Sequence, residues 1–369
     1  MKQIKILHTI SQINNGGRER RMVQLVRGLY RTGRYMQYII TFSEYIEYKD
    51  VLETDAKIIF INYTKLSKIQ LFNCLYKLLN NIKPDIVHSW NGGPIDVIIG
   101  LLKYKYRFKY VAGFVADGNK LSKYNQTYFI HKFSFLRADK IVSNSRAGLI
   151  AKKAPTTKSR IIYNGFDFSR LNTHVTRFDK KKELNLCQQY VVGMIARVSY
   201  AKDFMSFIKL AYLASKSLAN VHFIAIGGGE LLDTCKKKIL ELQLHNITFL
   251  GPRCDIEELL QILDISILFS NNNIHAEGVS NSIMESMAAG IPVIATDGGG
   301  TPEIITDNVN GYIIPPADVE KALKLINVLI DNVQLRSNIG IAAKKTIQDR
   351  FTLDKMTCEY INLYSELLQ

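Results

Sequence analysis

The sequence predicts an α/β protein of two domains, each built on a parallel β-sheet. Short apolar runs, typical of buried strands, alternate along the chain with stretches of helical periodicity, and this alternation favours βαβ units. The 369 residues exceed the roughly 250 to 300 that a single hydrophobic core usually holds. Since ligands of such sheets bind beyond the carboxyl ends of the strands, we expect the functional residues to follow strands.

Residues 1–170 are predicted to form the first domain. An apolar strand at residues 4–8 is followed by a glycine loop at residues 14–20 and by a helix with one apolar face. That face comprises Met22, Leu25, Val26 and Leu29. Later strands are predicted within residues 85–90, 110–117, 138–145 and 161–167. His88 closes one of these strands, and the sequence leaves open whether it faces a ligand or serves the core.

Residues 191–348 are predicted to form the second domain. Its first strand is followed by Arg197 and Lys202, and its second strand by a glycine turn at residues 227–229. This turn lacks the Gly-x-Gly-x-x-Gly spacing of dinucleotide sites, so we interpret it as a tight turn near a ligand. Residues 171–190 contain three consecutive lysines and few apolar residues, which favours a linker with a hinge.

A pair of glutamates flanks a helix predicted to begin near Ser280 and to end at Gly290. Its apolar residues Ile283, Met284, Met287 and Ala288 share one face. The first amides of a helix have no intrahelical acceptor and can bind a pyrophosphate. Glu277 and Glu285 are separated by up to about 12 Å of helix, so they could bind opposite ends of one elongated ligand. The alternative is a capping box between Ser282 and Glu285, which would need no ligand.

The segment from Glu277 to Val293 resembles the Glu-x7-Glu segment of retaining glycosyltransferase family 4. The resemblance extends along nearly the whole chain, because the glycine loop at 14–20 and the segments at 138–145, 161–167, 191–197, 221–230, 247–251 and 298–305 appear in the order of that family. It implies the GT-B architecture, in which two Rossmann-like parallel-sheet domains face each other across a cleft. It also implies that residues 349–369 form a helix that returns to the first domain.

The resemblance also implies a role for individual residues. Arg197 and Lys202 would contact the donor phosphates, Glu277 the donor hexose and Glu285 the ribose hydroxyls, and the catalytic residues would be Arg197, Lys202 and Glu277. The remaining donor-binding residues would be Gly16, Gly17, Gly227, Arg253, Gly278, Val279, Ser280, Asn281 and Ser282. For Arg197 and Lys202 the alternative is a solvated surface pair.

One position departs from the family. Many members carry a histidine after the strand at residues 110–115, where it contacts the donor sugar, whereas this chain has Ala116 and Asp117. Asp117 is the candidate substitute, and the alternative is that the contact is lost.

The sequence predicts no metal site and no cofactor beyond the nucleotide-sugar substrate. No Asp-x-Asp pair follows a strand, and the cations named above could neutralise the leaving diphosphate in place of a metal. The family resemblance implies retention of anomeric configuration, with the acceptor attacking the face that the nucleotide leaves.

The charge is distributed unevenly. Residues 1–170 contain 29 Lys and Arg against 11 Asp and Glu, a net charge of +18, whereas the remainder carries −3. This asymmetry indicates an anionic partner. The chain lacks nucleic-acid recognition signatures, whereas residues 103–110 mix cations with aromatic residues as membrane-interfacial segments do. Residues 66–83 could also lie on anionic lipid, although an ordinary amphipathic helix packed on the sheet is the favoured explanation.

We therefore predict a cytoplasmic enzyme in contact with the inner face of the plasma membrane. It would transfer a hexose from a UDP- or GDP-sugar to a glycan or lipid-linked acceptor, in the biosynthesis of surface polysaccharide, such as capsule or lipopolysaccharide, or of glycolipid. The five cysteines have no paired spacing, which is typical of reduced thiols. The alternatives are a sugar-nucleotide epimerase of the same fold and a non-catalytic protein that binds polyanions or membranes.

Overall fold

The computed structural model describes residues 3–14, 16–115 and 125–369, which divide into two compact units. The first unit consists of Met1–Gly165 and Leu353–Gln369, and the second of Phe166–Thr352. Residues 171–190, expected as a linker, lie within the second unit.

The first unit contains a seven-stranded parallel sheet. Its strands are β1 (Ile4–Ile10), β2 (Tyr35–Thr41), β3 (Lys57–Phe60), β4 (Ile86–Ser89), β5 (Lys109–Val115), β6 (Lys140–Ser143) and β7 (Ser159–Ile161). Their order is β3-β2-β1-β4-β5-β6-β7. The helices between them are α1 (Gly17–Tyr30), α2 (Lys68–Ile82), α3 (Pro94–Tyr106), α4 (Gln126–Arg137) and α5 (Arg146–Ala151). Short 3-10 helices lie at Lys49–Glu53 and Tyr63–Lys65.

The second unit contains a six-stranded parallel sheet. Its strands are β8 (Tyr190–Ile195), β9 (Val221–Ile226), β10 (Ile247–Gly251), β11 (Ile265–Leu268), β12 (Val293–Thr296) and β13 (Tyr312–Ile314). Their order is β10-β9-β8-β11-β12-β13, so the direction of winding reverses between β8 and β11. The helices are α6 (Arg177–Glu183), α7 (Phe204–Ala214), α8 (Leu232–Glu241), α9 (Ile256–Ile262), α10 (Asn281–Ala288), α11 (Thr301–Ile304), α12 (Val319–Asp331) and α13 (Val333–Arg350). A 3-10 helix at Phe168–Leu171 precedes α6.

The last helix, α14 (Leu353–Leu368), belongs to the first unit and packs on α1. One face of the first sheet forms a core with these two helices, to which Met22, Leu25 and Tyr360 contribute. The opposite face forms a second core with α2, α3 and α4. The two cores follow from the alternation of side chains along each strand, since Ile6 lies in the first and Leu7 in the second.

Both candidate membrane segments contribute side chains to the core. Helix α2 begins with a capping box between Ser67 and Gln70 and buries Leu75 and Leu79, so residues 66–83 form the ordinary amphipathic helix that was the alternative. In residues 103–110, Phe108 and Tyr110 are buried in the core. The interfacial interpretation therefore does not hold for Phe108 and Tyr110, whereas Tyr104 of the same segment is 71% exposed.

Lys180 corrects the linker prediction. Its side chain is 4% exposed and its ammonium group lies 2.7 Å from Glu183, 2.8 Å from Asp255 and 2.6 Å from Glu258. The three-lysine run therefore belongs to a helix, α6, that is fastened to α9 by ion pairs rather than to a solvated hinge.

All five cysteines are free thiols. Within the part of the chain that the structure describes, no helix is both long and apolar enough to cross a lipid bilayer.

Candidate functional site

The candidate site lies at the carboxyl ends of the strands in the second unit, where the strand order reverses. Side chains that follow β8 and residues that precede α10 meet at this edge, which is where open α/β sheets bind ligands. The contacts that form the site lie within the second unit.

Arg197 follows β8 and remains accessible. Its side chain is 76% exposed, and its guanidinium lies 3.3 Å from a carboxylate oxygen of Glu230. Gly227 adjoins the same segment, because a Cβ there would stand 1.9 Å from the carbonyl oxygen of Ala196 and its φ is +144°. Only glycine allows this approach, so the turn after β9 supports the backbone that carries Arg197.

Lys202 and Glu277 form the central ion pair. The ammonium nitrogen lies 2.5 Å from Oε1 of Glu277, and the two side chains are only 14% and 13% exposed. The turn is held by the amide of Lys202, which donates to the carbonyl of Ser199. Asp203 then caps α7 by accepting from the amide of Ser206 at 3.1 Å. Lys202 is therefore not the solvated residue of the alternative interpretation.

A run of three glycines after β12 holds the backbone of Glu277. The amide of Gly300 donates to the carbonyl of Glu277 at 2.9 Å. A Cβ on Gly299 would stand 1.9 Å from that same carbonyl oxygen, and one on Gly300 would stand 2.5 Å from the carbonyl carbon of Gly278. The sequence showed this run only as a family landmark, although three successive glycines are themselves a signal of close backbone approach.

Helix α10 begins as predicted and excludes the capping box. Ser280 is the N-cap residue without a side-chain cap bond, and its hydroxyl lies 3.1 Å from that of Ser282. Because Ser282 is already inside the helix, it cannot cap with Glu285 as its partner. The predicted apolar face is confirmed. Ile283, Met284, Met287 and Ala288 are all at most 1% exposed.

Glu285 is held by a residue that the sequence analysis did not assign to the site. Its side chain is 7% exposed, and Oε1 lies 3.3 Å from Nη2 of Arg170. Arg170 also pairs with Glu257 and lies over the ring of Phe166 at 5.2 Å. The sequence places Arg170 among the surplus cations of the predicted first domain. Its neighbours in sequence do not indicate a carboxylate partner 115 residues away.

Arg253 and the loop after β10 form a charged network. Its guanidinium donates to Asp255 at 2.7 Å and to Glu183 at 3.0 Å, and hydrogen bonds from Arg253 hold the pKa of the Asp255 carboxyl well below its usual range. The Arg253 side chain is thus occupied by carboxylates, which leaves the backbone of this loop to approach a ligand. Val279 is 3% exposed and Gly278 lies beside Gly300, so these two can contribute only backbone.

His88 is a core residue, which corrects its assignment as a sugar or acceptor contact. It is 0% exposed, its Nδ1 lies 2.7 Å from the hydroxyl of Tyr364, and its ring stacks on Trp90 at 4.2 Å. Burial holds the pKa of His88 well below its usual value, so the ring is neutral. Helix α14 packs over β4 and covers His88. The sequence does not indicate this contact, because the two elements are distant along the chain.

The other candidates of the first unit have different outcomes. Gly16 and Gly17 lie at the start of α1, with Gly16 in extended conformation beside the carboxylate of Glu19. Ala116 and Asp117 lie outside the described residues. Among residues 3–14, 16–115 and 125–369, no group of three or more His, Cys, Asp or Glu side chains is arranged to hold a metal ion.

Residues 175–346 match the sequence model of the family described as glycosyl transferases group 1. This stretch contains Arg197, Lys202, Glu277 and Glu285. The chain contains, in its second unit, a domain of the group 1 glycosyl transferases. It is therefore a glycosyltransferase, as the sequence predicted.

Relatives of this glycosyltransferase include one named for a diphospho-undecaprenol-linked acceptor and one named for capsular polysaccharide biosynthesis. It is 28% identical over 323 residues to the N,N'-diacetylbacillosaminyl-diphospho-undecaprenol alpha-1,3-N-acetylgalactosaminyltransferase of Campylobacter jejuni, with 81% of each chain covered. It is 23% identical over 325 residues to the capsular polysaccharide biosynthesis glycosyltransferase CapM of Staphylococcus aureus, with 82% of this chain and 83% of the other covered.

The crystal structure of Anabaena HepE in complex with UDP and glucose has a similar fold. The TM-score is 0.83 at 21% sequence identity, over 98% of this chain and 100% of HepE. The predicted GT-B fold, with two parallel-sheet α/β domains, is confirmed. The likeness to HepE extends over both units of the chain.

Proposed function

We propose that this glycosyltransferase moves a hexose from a UDP- or GDP-sugar to a hydroxyl group of a glycan or lipid-linked acceptor, with retention of anomeric configuration and without a metal ion. The observation that carries the proposal is the largely buried Lys202–Glu277 pair at 2.5 Å, in which Glu277 lies shortly before α10. A carboxylate held by a cation at a helix start can accept bonds from sugar hydroxyls while the cation remains beside the phosphates.

The leaving group determines the roles of the cations. Cleavage of the bond between the anomeric carbon and the phosphate oxygen leaves negative charge on the nucleotide diphosphate. Arg197, Lys202 and the first amides of α10 would stabilise that charge, since preorganised donors act most strongly where charge develops. The departing phosphate oxygen would take the proton of the acceptor hydroxyl, so no side chain need serve as the base.

Glu285 is proposed to bind the ribose. Its carboxylate is 7% exposed and is oriented by Arg170, so it is prepared to accept hydrogen bonds from two vicinal hydroxyls. Backbone of the 251–255 loop would face the nucleobase.

The acceptor is proposed to be an intermediate of surface polysaccharide or glycolipid assembly. Two observations support this. The Campylobacter jejuni relative is named for a diphospho-undecaprenol-linked acceptor and the Staphylococcus aureus relative for capsular polysaccharide biosynthesis. Residues 1–170 carry a net charge of +18, which suits an acceptor bearing a pyrophosphate.

A thermal-shift experiment tests donor binding. We expect UDP or GDP, with its sugars, to raise the melting temperature of the wild-type protein in the presence of EDTA, because a ligand that binds only the folded state stabilises it. Glu285→Ala and the milder Glu285→Gln should lose this shift. Glu320→Ala is the matched control, since Glu320 pairs with Lys209 on an exposed surface. If no nucleotide shifts the wild type at millimolar concentration, the proposed donor site is wrong.

Product analysis separates the proposed reaction from the alternatives. A transferase yields a free nucleoside diphosphate and an α- or β-linked product with the anomeric configuration of the donor, which NMR identifies. An epimerase would return a changed sugar, and a polyanion-binding protein would show no nucleotide-dependent shift at all.

A further inference from the structure

The outer surfaces of α3 and α4 carry an unusual combination of residues. Leu101, Tyr104, Phe129 and Leu136 are 47%, 71%, 63% and 70% exposed. A single exposed apolar residue is ordinary, but four large ones on two neighbouring helices form a patch that water solvates poorly. Gly100 allows the two helices to approach closely, because a Cβ there would stand 2.8 Å from the ring of Phe133.

Cations surround these apolar residues. Lys105 and Arg107 lie at the end of α3, and Lys132 and Arg137 lie on α4. The guanidinium of Arg137 lies over the ring of Tyr104 at 4.1 Å. A ring whose face meets a cation and whose edge meets solvent is typical of side chains at a membrane interface.

No exposed carboxylate on the same helix layer opposes this charge. The basic residues of α2, α3, α4 and α5 are Lys68, Lys77, Lys103, Lys105, Lys132, Arg137 and Arg146. Asp96 is the one acidic residue in these four helices and is 0% exposed, with Tyr110 donating to it at 2.7 Å. The layer therefore presents positive charge and apolar surface together.

A cavity of about 540 Å³ opens beside this patch, between the ends of the two helices and the start of β5. Arg107, Lys109 and Arg137 line it, together with Tyr104 and Leu136. Its carboxylate, Asp139, is paired with Lys103 at 2.7 Å. Among the residues that the structure describes, no carboxylate forms an ion pair with Arg107, Lys109 or Arg137, and these cations suit a phosphate. The apolar rim suits the hydrocarbon next to it.

We propose that the outer surface of α3 and α4, here called the α3–α4 face, docks on an anionic lipid bilayer with a headgroup phosphate seated in this cavity. Charge complementarity selects the partner, since each Lys or Arg near an anionic leaflet contributes to binding. The four exposed apolar side chains select a bilayer over a polyanion in water, because they gain from burial in lipid. None of the residues assigned to the donor lies on this face.

Vesicle sedimentation of the full chain tests the proposal. We expect binding to vesicles of phosphatidylcholine mixed with phosphatidylglycerol and none to phosphatidylcholine alone. Binding should fall as salt rises from about 0.01 M to about 1 M, because the screening length falls from about 30 Å to about 3 Å. The double variant Lys105→Gln, Arg107→Gln should partition about thirtyfold more weakly.

A second pair of substitutions tests the apolar contribution. Leu101→Ser with Leu136→Ser should weaken vesicle binding tenfold or more, because each substitution removes one leucine side chain that would be buried in the lipid. Matched controls lie on α8 of the second unit, where Lys236, Lys237 and Leu240 are exposed. Lys236→Gln with Lys237→Gln, and Leu240→Ser, should bind vesicles as the wild type does.

The outcomes separate the possibilities. Equal binding to neutral vesicles, no vesicle binding, or unchanged binding by both α3–α4 variants would overturn the proposal. If single-stranded polyuridylate binds and competes, and the leucine pair has no effect, the face binds polyanions rather than lipid. All variants should keep the nucleotide-dependent thermal shift, so loss of docking is distinguishable from failure of the donor site.

Discussion

At the scale of single residues, the site depends on carboxylates that are oriented by cations from distant parts of the chain. Lys202 pairs with Glu277 across 75 positions of sequence, and Arg170 reaches Glu285 from the 3-10 helix before α6. Each carboxylate is nearly buried, so an unpaired charge there would be costly. The pairing therefore both permits burial and restricts the carboxylate to one orientation.

Arg170 is predicted to act on the donor through Glu285. Arg170→Gln should weaken donor binding about tenfold, because the carboxylate loses the partner that orients it. In a cycle with Glu285→Gln the two effects should not add, with a coupling of about 1 to 2 kcal/mol, as expected for residues in contact. Isothermal titration calorimetry with the nucleotide measures the donor affinity of each variant and hence the coupling energy.

The control for Arg170 is Arg177→Gln, since Arg177 forms an ion pair of 2.7 Å with Asp264 and contacts neither glutamate of the site. Its donor affinity should equal that of the wild type. Additive effects of Arg170→Gln and Glu285→Gln would show that Arg170 does not position Glu285.

At the scale of elements, glycine turns place the side chains that follow the strands. The turn at residues 227–229 lies against residues 196–198, and Gly229 would bring a Cβ within 2.3 Å of the carbonyl oxygen of Val198. The run at residues 298–300 lies against Glu277 and Gly278 in the same way. In both places two loops share space that only glycine leaves open, so the positions of Arg197 and Glu277 depend on loops distant in sequence.

Two adjacent glycines give a matched test of this arrangement. Gly227→Ala should lower the melting temperature and weaken donor binding, because its φ is +144° and the new Cβ would overlap the carbonyl of Ala196. The cost should be about 1 to 3 kcal/mol. Gly228→Ala should be close to wild type, since its nearest contact would be Pro252 at 3.4 Å. Thermal melts with and without nucleotide measure both. Equal behaviour of the two variants would contradict the close approach.

At the scale of the whole molecule, each unit has its own core, and the first unit is completed by the last helix. Tyr360 and Tyr364 of α14 lie against a cluster of buried polar residues that includes His8 and His88. Both histidines are fully buried and neutral. The first unit therefore contains two imidazole groups, those of His8 and His88, whose burial disfavours the protonated form.

The stability of the first unit is predicted to fall in mild acid. Burial lowers the pKa of His8 from 6.5 to about 4. Below pH 6.5 the imidazole of His8 binds a proton in the unfolded chain but not in the folded chain. The free energy of unfolding is therefore highest above pH 6.5 and decreases as the pH falls towards 4. His8 alone should cost about 2 kcal/mol at pH 5.

Urea unfolding at pH 7.5 and pH 5, followed by tryptophan fluorescence, measures this loss. The chain has a single tryptophan, and Trp90 is buried in the first unit, so the signal reports that unit. A His8→Gln variant should show a weaker pH dependence. Identical free energies of unfolding at the two pH values would mean that the buried histidines do not control acid stability.

The alternation of strands and helices, the apolar faces of α1 and α10, and the order of the family segments were readable from sequence, because each is a local pattern repeated along a few turns or one strand. The placement of Arg197, Lys202 and Glu277 after strands or before a helix was readable for the same reason. The GT-B fold and the family were implied by the resemblance of the ordered segments to glycosyltransferase family 4.

The contacts between distant residues were decided only by the tertiary structure. The partner of Glu285, the ion pairs of Lys180 with Asp255 and Glu258, and the burial of His88 beneath α14 have no local signal, because they join residues 75 to 276 positions apart. The same holds for the α3–α4 face, since its apolar and basic residues come from two helices separated in sequence. Sequence periodicity determines which elements form, whereas packing between those elements determines which charges meet and which surfaces stay exposed.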